Sequence, residues 1–202
     1  MKQTVENTGA VLNLISQLSG EKSNFSDELK RRIKNQEIGV EETHYFGVKN
    51  ISSEGGQIPL IDETSEKVYG TSNISKNKLN KNRAFLGDRI GLFYATGNES
   101  TPGGANFENK SFPAALKNAV LEVKQNGKTI LERPCGDFSV SVTAQDPEEK
   151  YLELRVPMVL ADDLDFEINL QFPKGVSMAA GADADSQHLI KWAFLGYSTK
   201  IK

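Results

Sequence analysis

The sequence is poor in the residues that build disulfides, metal centres and catalytic dyads. Its 202 residues include one cysteine and two histidines. The lone Cys135 excludes an intramolecular disulfide and gives no support for an oxidising compartment. It also lacks the neighbouring base and the electropositive setting that a nucleophilic thiol needs. Neither His44 nor His188 lies among Cys, Asp or Glu residues at metal-ligand spacing. We therefore expect a protein that is not an enzyme and that uses no metal or other cofactor.

Long apolar runs and nucleotide-binding motifs are also missing. No stretch approaches the roughly 20 apolar residues that a membrane span requires, so none is expected. The first twenty residues contain Glu6 and only a short apolar run, which does not predict a signal peptide. Gly103-Gly104 completes neither the G-x-G-x-x-G pattern nor a P-loop, and a flexible loop is the simplest interpretation. The formal net charge of −3 offers no overall attraction for nucleic acid.

Residues 1–39 predict a helical N-terminal arm. An amphipathic helix is expected over residues 8–19, and Ser26 is the expected N-cap of a second helix, with Gly39 as its stop. The second helix has acidic residues in its first turn and basic residues later, which suits the helix dipole. Both apolar stripes are thin, so the body of the protein or another subunit must cover them. The candidate contact residues of the first helix are Val11, Leu14, Ile15 and Leu18.

Residues 40–202 predict a domain of short antiparallel strands. The clearest element is VLEVKQNGKTILE, residues 120–132, in which Asn126-Gly127 predicts a two-residue type I′ turn. That turn pairs Gln125 with Lys128, so Val123 would face Ile130, and Leu121 would face Glu132. The other expected strands cover 42–49, 88–95, 138–143, 151–160, 165–172 and 189–201, with short ones near 58–61 and 67–70 inside a long loop.

About eight strands without an internal repeat or a βαβ rhythm predict two packed antiparallel sheets. The fold class is therefore mainly β, an antiparallel β-sandwich that follows a short helical arm. Eight strands permit a single jelly roll, but immunoglobulin-like and lectin-like sandwiches also fit the pattern.

Charge is unevenly distributed along the chain. Residues 71–86 contain no acidic residue, whereas residues 136–187 contain eleven acidic residues and three basic ones. A solvated loop is the simplest interpretation of the basic segment. Contact with a neighbouring copy is the first alternative and contact with a nucleic-acid backbone the second. The candidate residues for either contact are Lys76, Lys78, Lys81 and Arg83.

Two acidic clusters lie in predicted turns. Neither follows the EF-hand pattern, so solvated turns are expected, with a cation shared between subunits as the alternative. The clusters are Asp162, Asp163 and Asp165, and Asp183 and Asp185.

The stretch FPAALKNAVLEVKQNGKTILERPCGDF, residues 112–138, resembles the hairpin region of jelly-roll coat proteins of icosahedral bacteriophages. The order of helical arm, long loops and short alternating strands is similar as well. The resemblance implies a single jelly roll and a self-assembling capsid subunit of the virion, assembled in the host cytoplasm. Its partners would be copies of itself and other virion proteins. Because the arm is not strongly basic, protein contacts rather than genome charge would drive assembly.

Two other functions compete with this interpretation. A carbohydrate- or receptor-binding sandwich of the tail or adhesin type would present an exposed aromatic platform. Its candidates are Tyr94, Phe107, Phe112, Trp192 and Tyr197, although Trp192 lies in an apolar run that favours the core. An enzyme on the same scaffold would depend on the acids near 162–165 and on His188.

Overall fold

Eight strands form two four-stranded antiparallel sheets. The computed structural model describes residues 9, 11–16, 20, 23–139 and 150–202. The strands are β1 (Ile38–Asn50), β2 (Gln57–Pro59), β3 (Phe85–Gly97), β4 (Val120–Gln125), β5 (Lys128–Pro134), β6 (Leu152–Leu160), β7 (Phe166–Gln171) and β8 (Gln187–Ile201). The helices are α1 (11–16), α2 (Asp27–Lys34) and α3 (Ala114–Lys117).

The strand pairing is nested. β1 pairs with β8, β2 with β7, β3 with β6 and β4 with β5, as in one long hairpin rolled up on itself. The resulting sheet orders are β1-β8-β3-β6 and β2-β7-β4-β5. Two four-stranded sheets connected in this way make a jelly roll. The predicted single jelly roll of about eight strands is therefore confirmed.

Large apolar side chains fill the space between the two sheets. The predicted apolar row of β7, which consists of Phe166, Ile168 and Leu170, faces inward and is almost fully buried. Asn169, which alternates with this row, is buried as well. The opposite sheet contributes Trp192 and Phe194 from β8. Because the interior is filled by side chains, polar chemistry and binding are confined to the outer faces, the edges and the loops.

The β4–β5 hairpin has the predicted turn but not the predicted register. Asn126 and Gly127 both have positive φ angles, 51° and 70°, as a type I′ turn requires, and Gln125 pairs with Lys128. A bulge then leaves Ile130 without a partner, so Val123 faces Leu131 and not Ile130.

The same bulge places Leu121 opposite Arg133, so the predicted Leu121–Glu132 pair is also wrong. One extra residue exchanges the two faces of the strand. Leu131 consequently packs against the core, while Ile130 is exposed.

The eighth strand is not the one that the sequence favoured. Of the predicted strand 138–143, Phe138 ends a 3₁₀ turn, and residues 140–143 lie outside the described part of the chain. Strand β2 (Gln57–Pro59) is the eighth strand instead, and it lies close to the short strand predicted near 58–61. The other short strand, predicted near 67–70, is instead a turn with an isolated bridge between Val68 and Ser72.

The N-terminal arm packs against the end of its own sandwich. Residues 11–16 are helical, as predicted within 8–19, and Ser26 caps α2 by accepting a hydrogen bond from the Leu29 amide at 3.2 Å. Helix α2 ends at Lys34 and not at Gly39, because Gln36 turns the chain with a φ of 58°. Arm and sandwich share a small apolar cluster, which contains Ile15, Phe25, Leu29, Ile38, Ala84 and Ala161.

Candidate interaction surfaces

The basic loop, residues 76–83, is largely neutralised by carboxylates of its own chain. Lys78 lies 3.1 Å from Asp163, and Lys81 lies 3.0 Å from Glu28 of helix α2. Arg83 pairs with the Glu41 carboxylate of β1 and donates a hydrogen bond to the Tyr45 hydroxyl at 3.2 Å. Only Lys76 of the four predicted contact residues has no ion pair among the described residues. The loop therefore joins the arm, β1 and the acidic turn at 162–165 within one subunit.

The side chain of Asp162 connects the arm to the sandwich. It is buried, and it accepts hydrogen bonds from the Ser26 amide at 2.9 Å, the Ser26 hydroxyl at 2.6 Å and the Asn82 amide at 2.8 Å. Ser26 in turn caps helix α2. Asp162 was expected in a solvated turn, and this expectation is wrong, since its carboxylate is a buried acceptor for two segments distant in sequence.

A salt bridge reinforces the same junction. Lys81 and Arg32 hold the pKa of Glu28 down at about 2, chiefly through hydrogen bonds to its carboxylate. Glu28 in turn raises the pKa of Lys81. We call the set formed by Ser26, Glu28, Lys81, Asn82 and Asp162 the arm latch.

The predicted arm residues face this junction to different degrees. Ile15 is buried in the cluster that arm and sandwich share, and Val11 packs against it. Leu14 is half-buried, and Leu18 lies outside the described residues. The described part of the first helix therefore packs against its own subunit through Ile15 and Val11.

Cys135 and His188 are the side chains that the sequence offered for catalysis, and the structure places Cys135 in the core. Burial raises the pKa of the Cys135 thiol to about 12, which makes it a poor nucleophile. His188 lies 2.6 Å from the Tyr94 hydroxyl through Nδ1, and its backbone amide donates to Ser52. Within the described ranges, no group of three His, Cys, Asp or Glu side chains is arranged to hold a metal ion.

The predicted aromatic platform does not form from the predicted residues. Phe112 and Trp192 are buried in the core, and Tyr94 packs against it from the inner face. Tyr197 is half-buried on the other face of the same sheet. Of the five candidates, Phe107 alone contributes to an aromatic surface that also carries a cation.

That surface is the outer face of the β1-β8-β3-β6 sheet. Residues paired across antiparallel strands have their side chains on the same face of the sheet. Trp192 and Phe194 of β8 face inward, so the alternate residue Lys191 and the residues paired with it face outward. The Lys191 ammonium lies 4.8 Å from the ring centroid of Phe46 and 5.9 Å from that of Phe107.

Further rings extend this outer face. His44 lies 5.6 Å from Phe46 and 6.3 Å from Tyr151, measured between ring centroids. We call His44, Phe46, Phe107, Tyr151 and Lys191 the cation–aromatic face. The alternation of His44 and Phe46 along β1 is the sequence signal for it, but the pairing that brings Tyr151 and Lys191 alongside could not be read from the sequence.

Five large hydrophobic side chains of the described residues are exposed. Val156 is 81% exposed in an irregular stretch of β6, where pairing to β3 jumps from Met158 to Glu153. The Tyr69 side chain is fully exposed at a loop tip. The others are Val68, Ile130 and Ile201.

No protein-family model and no curated protein matches this sequence. None of the described helices has the length and apolar character needed to cross a bilayer.

Proposed function

We propose that the protein is a structural virion protein, a capsid subunit that self-assembles into an icosahedral shell. The observation that carries the proposal is the single jelly roll with an interior filled by apolar side chains. Viral capsid and lectin domains are among the proteins built on this architecture. A filled interior leaves the outer surface for function, which suits a protein whose work is contact with other subunits.

Exposed apolar side chains supply surfaces that such contacts would cover. Val156 and Tyr69 lie on two different parts of the molecule, one on the β6 edge and one at a loop tip. Contact between unlike patches builds rings and closed assemblies when the rotation closes. Two separate apolar protrusions on one subunit are therefore more useful to a shell than to a monomer in water.

The distribution of charge supports assembly by protein contacts. Three of the four cations of the basic loop are paired with carboxylates of the same chain. Each paired cation has fewer counterions to release, which weakens attraction to a nucleic-acid backbone. The proposed shell therefore relies on complementary protein surfaces, and this loop is not its genome-binding element.

The test combines light scattering with negative-stain electron microscopy across a range of salt concentrations. We expect the wild-type chain to form large closed particles and Val156→Asp to remain small, because a charge in an apolar contact has no partner. Ser100→Asp adds the same charge to an exposed loop and should assemble normally. Circular dichroism checks that each variant is folded.

The assembly state of the wild type and of the two variants tests the proposal. Particles from wild type and Ser100→Asp, but not from Val156→Asp, would support the shell and place Val156 in a subunit contact. A wild-type chain that stays monomeric or forms one small oligomer under every condition would contradict the proposal.

A further inference from the structure

The Lys191 ammonium on the cation–aromatic face has no carboxylate partner among the described residues. It lies between the rings of Phe46 and Phe107, and burial lowers the pKa of Lys191. The ring faces attract the ammonium, but they accept none of its N–H bonds as a carboxylate would. A partly desolvated cation held in this way offers a place for an anionic group of a ligand.

Two further polar groups of the cation–aromatic face have no hydrogen-bond partner among the described residues. They are the imidazole of His44 and the hydroxyl of Tyr151, whose ring centroids lie 6.3 Å apart. Burial and the nearby Lys191 lower the pKa of His44, so the imidazole is neutral at pH 7. Burial raises the pKa of Tyr151, so its hydroxyl stays protonated. Both groups can therefore donate and accept hydrogen bonds.

The ligand that fits combines three features. It has one negative group for Lys191, hydroxyl groups for His44 and Tyr151, and an apolar face for the aromatic rings around them. We propose that the cation–aromatic face binds a sugar that carries a carboxylate, such as a uronic or sialic acid. The C–H face of the sugar ring packs on the aromatic surface, while its carboxylate accepts hydrogen bonds from the Lys191 ammonium.

The charge around the face favours a single carboxylate over a polyanion. Glu42 and Glu153 are exposed on the same face of the sheet, as their pairing with Tyr197 and Arg89 shows. Arg89 also lies on this face, and its guanidinium is 3.7 Å from the Asp88 carboxylate. Several backbone phosphates would need several cations and would meet these carboxylates. A small acidic sugar needs one cation only, so nucleic acid is the less suitable occupant.

Saturation-transfer difference NMR tests the proposal with the free subunit and with an assembled particle alike. The probes are glucuronic acid and N-acetylneuraminic acid, with glucose as the neutral control. We expect saturation transfer to both acidic sugars and much less to glucose. Lys191→Met keeps the apolar stem between the two rings and removes the charge, so it should weaken acidic-sugar binding about tenfold or more.

Two variants separate the site from general effects. Tyr151→Phe removes one hydroxyl and should weaken binding of the acidic sugars several-fold without changing the preference for acids. Lys174→Met removes an exposed loop lysine outside the face and should bind like wild type. Weaker acidic-sugar binding by Lys191→Met and Tyr151→Phe, with Lys174→Met unchanged, supports the site.

Three results would overturn the proposal. The first is equal saturation of glucose and the acidic sugars, or of none of them, by the folded wild type. The second is undiminished acidic-sugar binding by Lys191→Met. The third is binding of a fluorescent oligothymidine that depends on Phe46 and Lys191 in the absence of sugar binding, which would assign the face to single-stranded nucleic acid.

Discussion

The strongest prediction about the arm latch concerns Asp162. The change Asp162→Asn keeps the shape of the side chain and replaces one acceptor oxygen by an amide that can only donate. In the wild type the two carboxylate oxygens share three donors, two of them from Ser26 and one from the Asn82 amide. Whichever way the new amide points, the backbone N–H of either Ser26 or Asn82 then faces another N–H.

The magnitude follows from the burial of the site. A hydrogen bond to a charged acceptor contributes about 1.5–3 kcal/mol, and an orphaned buried donor costs a similar amount. Removing a buried charge recovers part of this loss. We expect Asp162→Asn to lower the free energy of unfolding by about 2 kcal/mol, and the melting temperature of a chain of this size by about 4–8 °C.

The assay is thermal denaturation followed by circular dichroism, together with limited trypsin digestion. Helix α2 contains four basic residues, so trypsin reports directly on release of the arm. Asp163→Asn is the matched control, because the adjacent Asp163 is half-exposed and forms only a surface pair with Lys78. Such a pair contributes about 1 kcal/mol or less, and Asn tolerates the positive φ of residue 163.

The reasoning fails if Asp162→Asn melts with the wild type, or if Asp163→Asn loses as much stability as Asp162→Asn. It also fails if trypsin cuts α2 at the same rate in Asp162→Asn and in the wild type. A stability loss without faster cleavage would mean that Asp162 supports the sandwich and does not hold the arm.

Three other predictions concern single residues. The pKa of Glu28 is about 2 in the folded chain, below its ordinary 4.5, so its stabilising effect is present above pH 4.5 and is lost as the pH falls towards 2. The melting temperature of wild type should therefore exceed that of Glu28→Gln at pH 6, with a difference that shrinks in acid; a constant difference contradicts the pairing with Lys81. Cys135 is buried with a pKa near 12, so iodoacetamide at pH 8 should label it only after denaturation, and rapid labelling of the native chain contradicts its burial. A Cβ at Gly47 would lie 2.8 Å from Nε1 of Trp192. Gly47→Ala should therefore destabilise the fold by about 1–3 kcal/mol, as measured by urea titration. An unchanged urea midpoint would show that the indole can move aside.

Local sequence patterns predicted the elements whose determinants are local. The Asn126-Gly127 turn and the inward-facing apolar row of β7 depend on neighbouring residues, and both are present as predicted. The Ser26 cap is another such case. The bulge at Ile130 was missed because a bulge depends on how the strand packs against its neighbours and leaves no signal in a short stretch.

The roles of the charged residues were the hardest to predict. The basic loop at 76–83 and the acidic turn at 162–165 are about 80 residues apart, so their segregation along the chain suggested a solvated loop or contact with a partner molecule. In the structure Lys78 and Asp163 are paired with each other. Asp162 is buried although nothing in its local sequence separates it from Asp163.

The nested topology explains why these segments meet. When each strand pairs with its counterpart from the other end of the chain, the connection between β2 and β3 lies beside the connection between β6 and β7. The Asp163 amide accordingly donates to the carbonyl of Leu79, and the Phe166 amide to that of Asn77. Once the jelly-roll pairing is known, the contact between the basic loop and the acidic turn follows without any further information.

The same rule accounts for the other loops of the molecule. The β1–β2 connection meets the β7–β8 connection, where the Met178 amide donates to the carbonyl of Glu54. The β3–β4 connection meets the β5–β6 connection, where the Cys135 amide donates to the carbonyl of Ala119. Opposite charges placed in connections that the topology brings together stabilise the subunit itself. Surfaces that remain outside these loop contacts include the irregular β6 edge at Val156, the loop tip at Tyr69 and the outer face around Lys191.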